Sequence, residues 1–133
     1  YLIVGDGESN EGQVWEAAMC AAHYRLGNLI GFMDYNHMQI DGYTQDIMDL
    51  EVAEEKWSAF GWFAQRVDGH DFVALDRAIE RAKKEEARPS MIVMDTVKGK
   101  GAHFAEDNVG NHNMKVDEVM AAEAIRRLME EVL

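Results

Sequence analysis

Two apolar runs flank a helix-length segment at the start of the chain, and this spacing constrains the fold more than any other feature. The first run covers residues 1–4 and ends at Gly5, and the second covers residues 29–33 and ends at Asp34. Short continuous apolar runs are typical of strands buried in a parallel sheet. The crossover that joins two such strands is right-handed in nearly all proteins. The sequence therefore predicts an α/β fold, a parallel twisted sheet with helices on both faces.

The segment between the two runs carries signals for both ends of a helix. Asn10 is a candidate N-cap, and Gln13 completes a capping-box pattern three residues later. Gly27 is typical of the residue that follows a helix. These signals predict a helix over about residues 11–26.

The alternation of helices and strands continues along the chain. The patterns predict a short helix near residues 52–59, a strand over 62–67, a helix from Asp71 to about residue 86, and a strand over 91–94. A loop with several glycines follows, and Asp117 is expected to cap a last helix. The apolar stripe of that helix consists of Ala121, Ile125, Leu128 and Val132.

Polar residues lie where the first two strands end. Asp6 stands between Gly5 and Gly7 after the first strand, and Asn36 follows the second. The crossover brings both loops to the same edge of the sheet, beside a helix N-terminus that favours anions. A carboxylate, an amide oxygen and phosphate oxygens together suit Mg²⁺. The sequence therefore predicts a diphosphate that is held through a divalent cation.

The same residues resemble the signature of thiamine diphosphate enzymes, in which Gly5-Asp6-Gly7 is followed at this interval by Asn36. The surrounding blocks are similar to transketolase in particular, and the resemblance covers nearly the whole chain. These blocks are Glu11-Gly12 and residues 26–30, 40–42, 60–62, 68–71 and 96–101.

The resemblance implies a set of metal and cofactor ligands around the first two loops. Asp6, the Asn36 side chain and the Met38 main-chain carbonyl would bind Mg²⁺, for which Ca²⁺ or Mn²⁺ can substitute. Gly7 would approach the diphosphate with its N–H, and Ile40 would pack near the rings of thiamine diphosphate.

Two further residues of the predicted site lie in the later glycine-containing loop. Lys98 would reach the diphosphate by resemblance, although a solvated loop lysine is the alternative. His112 lies where transketolases place a catalytic histidine that contacts cofactor and substrate. The family commonly has His-Gly there, whereas this chain has Asn111-His112-Asn113.

Glu11 and Glu16 have two interpretations. In transketolase-like proteins, glutamates at these positions join a carboxylate network at the dimer interface, where close like charges raise one another's pKa. The alternative is that both belong to the solvated face of the first helix.

The chain carries a formal net charge of −12, which argues against nucleic acid and anionic membranes as partners. It contains no apolar run long enough to cross a membrane, and a cytoplasmic location is expected. With 133 residues and 47% hydrophobic content, residues 1–133 are expected to form a single domain.

Tyr1 opens directly on a predicted core strand. By resemblance, residues 1–133 correspond to the latter part of a diphosphate-binding domain, so the sheet is expected to be incomplete at its N-terminal side. The pyrimidine-binding domain, with the catalytic glutamate that activates the cofactor, would come from a second subunit or from the remaining transketolase segments. We expect a homodimer or heterotetramer, and this chain alone is not expected to turn over.

The implied activity is transfer of a two-carbon ketol unit between sugars, with sugar phosphates as the expected substrates. One alternative is another thiamine diphosphate enzyme, such as the alpha-type subunit of a 2-oxoacid dehydrogenase. Another is a non-catalytic assembly subunit that keeps the fold but binds no cofactor.

Overall fold

The computed structural model describes residues 1–132, with side chains described as far as Glu130. Val132 of the predicted apolar stripe therefore lies outside the described side chains. Two short 3₁₀ helices, Glu8–Asn10 and Val109–Asn113, accompany the main elements. In chain order, these are β1 (Leu2–Gly5), α1 (Gly12–His23), β2 (Ile30–Tyr35), β3 (Met38–Gln39), β4 (Gly42–Tyr43), α2 (Thr44–Ile47), α3 (Ala53–Ala59), β5 (Phe63–Asp68), α4 (Phe72–Lys84), β6 (Ser90–Asp95) and α5 (Glu118–Val132).

Four strands form a parallel sheet in the order β1-β2-β6-β5. Gly5 at the end of β1 is paired in register with Asp34 of β2, which is paired in turn with Met94 of β6. The carboxyl ends of these three neighbouring strands therefore meet at one edge of the sheet. β3 and β4 form a separate antiparallel hairpin directly after β2.

Two apolar clusters cover the two faces of the sheet, because successive strand residues point to opposite sides. Met33 and Val93 belong to the larger cluster, which includes residues of α1 and α3, and the Trp62 indole N–H of that cluster donates to the Ala18 carbonyl at 3.0 Å. Ile30 and Ile92 belong to the smaller cluster, which includes Ala78 and Ala82 of α4. The predicted parallel sheet with helices on both faces is confirmed.

The boundaries of α1 differ from the predicted ones at both ends. The N-cap is Glu11, and its side chain makes no capping hydrogen bond. Asn10 instead donates to the Met48 carbonyl at 3.3 Å and accepts from Gln39 at 3.1 Å, so the predicted capping box is wrong.

The C-terminal end of α1 is a Schellman motif rather than a stop at Gly27. Arg25 adopts a left-handed φ of 51°, its N–H donates to the Ala22 carbonyl at 3.0 Å, and the Leu26 N–H donates to the Ala21 carbonyl at 3.1 Å. Gly27 has a different role. A Cβ atom there would lie 2.1 Å from the Glu86 carbonyl oxygen, so close packing requires glycine.

The chain divides into two compact units, Tyr1–Thr96 and Val97–Leu133. The sheet, its hairpin and the first four helices belong to the first unit. In the second, Asp117 precedes α5 and its side chain accepts a hydrogen bond from the Met120 N–H at 2.8 Å, so the predicted cap of this helix is confirmed. The single domain over residues 1–133 stays a prediction. Within the described part of the chain, no helix is both long and apolar enough to span a membrane.

Candidate metal and diphosphate site

The loops after β1 and β2 lie side by side at the carboxyl edge of the sheet. The pairing of Gly5 with Asp34 aligns the two strand ends, and the Asp6 N–H continues the ladder by donating to the Asp34 carbonyl at 3.1 Å. The structure therefore brings the Asp6 loop against the chain that leads to Asn36, as the crossover predicts. Residues 36–44 then turn back through the β3-β4 hairpin.

Asp6 is a buried carboxylate that is held by several hydrogen bonds. Its side chain accepts from the Gly7 N–H at 2.8 Å and from the Thr44 hydroxyl at 3.0 Å, and the residue is 1% exposed. Burial is the largest influence on its pKa and raises it above the ordinary value, while these hydrogen bonds and one from the His37 N–H act in the opposite direction. The carboxylate is therefore oriented at a site where a nearby cation would favour its charged form.

The Asn36 side chain is fixed through both of its polar atoms. Its Oδ1 accepts from the Met38 N–H at 3.1 Å, and its Nδ2 donates to Asp34 Oδ2 at 3.2 Å. The other oxygen of Asp34, Oδ1, accepts from the Thr96 hydroxyl at the end of β6. These hydrogen bonds fix the orientation of the Asn36 amide, and the Asp34 carboxylate binds its NH₂ group.

Gly7 allows the first loop to approach the hairpin closely. Its φ of −63° is available to any residue, so conformational freedom is not the reason for glycine here. A Cβ atom at this position would lie 2.7 Å from the Gln39 Cβ, well inside contact distance. In this structure the Gly7 N–H donates to Asp6. Ile40, at the turn of the hairpin, is 63% exposed.

The residue between Asn36 and Met38 has an unusual backbone conformation. His37 has a φ of 63°, its ring lies 4.3 Å from the Tyr35 ring, and its Nε2 is 3.5 Å from Asp95 Oδ1. Arg66 donates two hydrogen bonds of 2.6 and 2.7 Å to the Asp95 carboxylate, and this pairing lowers the Asp95 pKa. These contacts anchor a left-handed turn within the loop.

The donor set of these two loops fits a hard divalent cation. Asp6 has a carboxylate, Asn36 an amide oxygen and Met38 a main-chain carbonyl, and Mg²⁺ prefers oxygen ligands of these kinds together with phosphate oxygens. None of the ion pairs among the described residues includes Asp6. Within that part of the chain, no basic side chain therefore offsets the cost of burying the Asp6 carboxylate. The described residues contain no cluster of three His, Cys, Asp or Glu side chains suited to a metal.

The other two predicted site residues lie together in the second unit. Lys98 Nζ and His112 Nδ1 are 3.3 Å apart. The 3₁₀ helix that carries His112 is held by Asn108, which accepts from the Gly110 N–H at 2.9 Å, and by Asn111, which donates to the Ala105 carbonyl at 2.7 Å. The asparagine before His112 is therefore a structural residue of this loop. The roles of Lys98 and His112 stay predictions.

Glu11 and Glu16 are both exposed at the start of α1. Glu11 occupies the N-cap position, and Glu16 lies within the helix. This placement is compatible with either a carboxylate network or a solvated face, so the network role stays a prediction.

Sequence reasoning missed three residues that shape the site, namely Asp34, Thr44 and Thr96. Asp34 stands at a strand end, so the reasoning that found Asp6 also applies to it. Thr44 and Thr96 were not recognised as residues of the site, because each contacts its carboxylate across 38 or 62 residues of sequence.

Comparison with known proteins identifies the family of the chain. Residues 1–129 match the family described as "Transketolase, thiamine diphosphate binding domain". The chain is 54% identical to the 6-deoxy-6-sulfo-D-fructose transketolase subunit of a Clostridium species, over 98% of this chain and 48% of that protein. It is 33% identical to an apulose-4-phosphate transketolase subunit of Phocaeicola vulgatus, over 99% of this chain and 47% of that protein.

A solved structure of transketolase from Campylobacter jejuni superimposes with a TM-score of 0.87 at 29% sequence identity, covering 94% of this chain and 20% of that one. The chain spans about half the length of the curated subunits that it matches. The resemblance that the motifs indicated is thereby confirmed. Because the family match extends over residues 1–129, this chain belongs to the transketolase family and carries its thiamine diphosphate binding domain.

Proposed function

We propose that this chain holds the diphosphate of thiamine diphosphate through Mg²⁺, using Asp6, Asn36 and the Met38 carbonyl. The buried Asp6 carboxylate carries the proposal, because a carboxylate that is 1% exposed and lacks an ion pair within the described chain is costly without a cation. The neighbouring amide oxygen completes a set that Mg²⁺ prefers. Ca²⁺ or Mn²⁺ would substitute, since both accept oxygen ligands.

The remaining site residues have separate proposed roles. Gly7 gives the space in which the two loops approach each other, and Ile40 contributes an exposed apolar side chain next to the metal loop. Lys98 adds a cationic donor for a diphosphate oxygen, and His112 holds or moves a proton at a sugar oxygen. Glu11 and Glu16 are proposed to contact a neighbouring subunit.

The proposed reaction is transfer of a two-carbon ketol unit between sugars. When bound, thiamine diphosphate supplies an electron sink, which takes up the electron pair of the carbon–carbon bond that breaks. The 54% identical relative is named for a sulfonated fructose and another relative for a sugar phosphate. We therefore propose a ketose donor with an anionic terminal group, either sulfonate or phosphate. Both relatives are named as transketolase subunits, which favours this activity over 2-oxoacid decarboxylation.

The proposed enzyme is assembled from more than this chain. The curated subunits are about twice as long as the part that matches, and neither is named as a complete enzyme. A second polypeptide or a further segment would bring the pyrimidine-binding domain and its catalytic glutamate, in a homodimer or heterotetramer. A cytoplasmic enzyme of carbohydrate metabolism is the proposed setting.

The decisive experiment uses the full assembly that contains this chain. Binding of thiamine diphosphate with Mg²⁺ is measured by calorimetry, and ketol transfer is measured with 6-deoxy-6-sulfofructose and with fructose 6-phosphate as donors. Asp6→Asn is expected to lower cofactor affinity and transfer by at least about 100-fold, because the negative charge of this metal ligand is lost and only a neutral amide oxygen remains.

Asp46→Asn is the matched control, because this exposed carboxylate of α2 lies in the same region of the sequence. It is expected to leave binding and transfer unchanged. Full binding and transfer in the Asp6 variant would overturn the metal assignment. Binding without transfer in the unmodified assembly would identify a cofactor-holding subunit with another activity.

A further inference from the structure

Asp34 is an acidic residue that contacts two of the proposed metal ligands without being one of them. It belongs to β2, two residues before Asn36, and its main-chain carbonyl accepts the Asp6 N–H at 3.1 Å. Both of its side-chain oxygens have partners. Oδ2 accepts from Asn36 Nδ2 at 3.2 Å, and Oδ1 accepts from the Thr96 hydroxyl. Asp34 therefore connects the metal loop to the end of β6.

An asparagine ligand needs help to present the correct atom to a cation. The oxygen and the NH₂ group of an amide are nearly equal in size, but only the oxygen binds a metal ion. A carboxylate accepts hydrogen bonds and does not donate them, so it attracts the NH₂ group and repels the oxygen. With Asp34 beside Nδ2, the flipped orientation of Asn36 would place two oxygens against each other.

The Thr96 hydroxyl is suited to keep this carboxylate in place. It donates to the Asp34 oxygen that Asn36 does not use, from the residue that directly follows β6. The Thr96 N–H also donates to the Tyr35 carbonyl at 3.2 Å, so the backbone of Thr96 is tied to β2 independently of its side chain. Removing the hydroxyl alone therefore frees the carboxylate while the strand ends stay joined.

We propose that Asp34 and Thr96 are positioning residues for the metal site: Thr96 fixes the Asp34 carboxylate, and Asp34 fixes the Asn36 amide with its oxygen turned to the cation. This rests on the proposed function, since it assigns partners to a ligand of that same site. Asp34 also adds a negative charge next to Asp6 that attracts the cation without binding it. Partners of this kind typically change metal affinity by about 10–100-fold when they are removed.

The test measures Mn²⁺ affinity in the full assembly, from the loss of the free Mn²⁺ electron paramagnetic resonance signal at a fixed concentration of thiamine diphosphate. Thr96→Val keeps the shape of the side chain and removes the hydroxyl, whereas Thr96→Ser keeps the hydroxyl. Thr96→Val and Asp34→Asn are each expected to weaken Mn²⁺ binding by about 10-fold or more. Thr96→Ser is expected to stay within about twofold of the unmodified protein, as a rescue by the conservative variant.

The matched control for charge is Asp68→Asn. Asp68 ends the neighbouring strand β5 and accepts the His70 N–H at 2.8 Å, so it is a turn residue at the same sheet edge. It is expected to leave Mn²⁺ affinity unchanged. An equal loss of affinity in this variant would show a general effect of charge at the edge and would overturn the positioning role.

A thermal unfolding measurement without metal separates positioning from simple structural support. If Thr96→Val lowers only the unfolding temperature and leaves Mn²⁺ affinity intact well below that temperature, the proposal is wrong. Asp6→Asn distinguishes a failure of the proposed metal site from a failure of the positioning role of Asp34 and Thr96. Retained Mn²⁺ binding in Asp6→Asn contradicts the proposed function itself, whereas its loss, with normal binding in Thr96→Val and Asp34→Asn, contradicts only the positioning role.

Discussion

At the scale of single residues, the glycines of this chain differ in what they do. Gly7 has an ordinary helical φ, yet its hydrogen atoms face Gln39 at a distance that excludes a methyl group. At Gly12, five residues later at the start of α1, an added methyl group would have no atom within 4 Å other than those of its chain neighbours and of the helix backbone. Substituting alanine at each of the two positions therefore separates the steric effect of an added methyl group from its effect on backbone conformation.

Gly7→Ala is expected to destabilise the protein by about 1–3 kcal/mol, because the added methyl group must push the hairpin away from the Asp6 loop. The free energy of unfolding is measured with urea. Gly12→Ala serves as the control and is expected to be neutral or to stabilise by up to about 1 kcal/mol, since alanine favours helix. Equal effects of the two substitutions would contradict this assignment of steric roles.

The Arg66–Asp95 pair predicts a pH dependence of stability. Arg66 lowers the Asp95 pKa in the folded protein, so the pair stabilises the fold above the ordinary pKa of about 3.9 and loses this contribution as pH falls through the folded value. Asp95→Asn is therefore expected to destabilise at pH 7 and to do so much less at pH 3. Because the two side chains are 33% and 40% exposed, the effect at pH 7 should be below about 1 kcal/mol.

The free energy of unfolding of the unmodified protein and of Asp95→Asn is measured with urea at pH 7 and at pH 3. Glu80→Gln is a suitable control, since Glu80 pairs with Lys83 on the exposed surface of α4, without joining two strands. Its effect should be smaller at pH 7. If Asp95→Asn lowers the free energy of unfolding by the same amount at both pH values, Asp95 contributes through packing instead of ion pairing.

Residue patterns predicted the candidate ligands Asp6 and Asn36 but missed the residues that hydrogen-bond to them or to the neighbouring carboxylate. Asp6 and Asn36 follow strand ends, and strand ends can be recognised from apolar runs. The partners Thr44 and Thr96 are brought to the site by the hairpin and by the position of β6 next to β2. Strand order is a property of the whole sheet, and no local pattern near either threonine encodes it.

At the scale of elements, the sequence located the large helices and strands well and their ends less well. β6 was predicted over residues 91–94 and spans Ser90–Asp95, and α4 was predicted to end near residue 86 but ends at Lys84. The β3-β4 hairpin was missed, because two strands of two residues each give no periodic signal. The helix ends depended on hydrogen bonds that several residue types can make.

Arg25 illustrates this dependence and leads to a prediction. It holds the left-handed position that ends α1, where a side chain costs about 1 kcal/mol relative to glycine. Arg25→Gly is therefore expected to stabilise the protein by up to about 1 kcal/mol in urea unfolding. The same substitution inside α4, Arg77→Gly, should destabilise by about 1 kcal/mol, because glycine is a poor residue for a helix interior. Destabilisation in both variants would mean that the Arg25 side chain makes a contact that outweighs its backbone strain.

At the scale of the whole molecule, charge opposes both folding and function. The chain has 25 acidic and 13 basic residues, and its ligand is proposed to be a diphosphate. Repulsion among the acidic residues destabilises the compact state. A divalent cation at the Asp6 loop would reverse the sign of charge locally, which explains how an acidic domain can bind an anionic cofactor.

This balance predicts two distinct effects of added salt on stability. NaCl should raise the free energy of unfolding between about 10 and 300 mM, because screening lengths fall from about 30 to below 10 Å and like-charge repulsion weakens. MgCl₂ with thiamine diphosphate, at matched ionic strength, should stabilise further by mass action, by about 2.7 kcal/mol when the ligand is at 100 times its dissociation constant.

The Asp6→Asn variant separates these effects. It should keep the response to NaCl, since one charge among 25 carboxylates changes the general repulsion little, and it should lose the additional response to MgCl₂ with thiamine diphosphate. Asp46→Asn removes the same charge from an exposed position and should retain both responses. If NaCl at matched ionic strength stabilised the unmodified protein as much as MgCl₂ with thiamine diphosphate does, the stabilisation would be screening alone, and the buried carboxylate would not be a metal ligand.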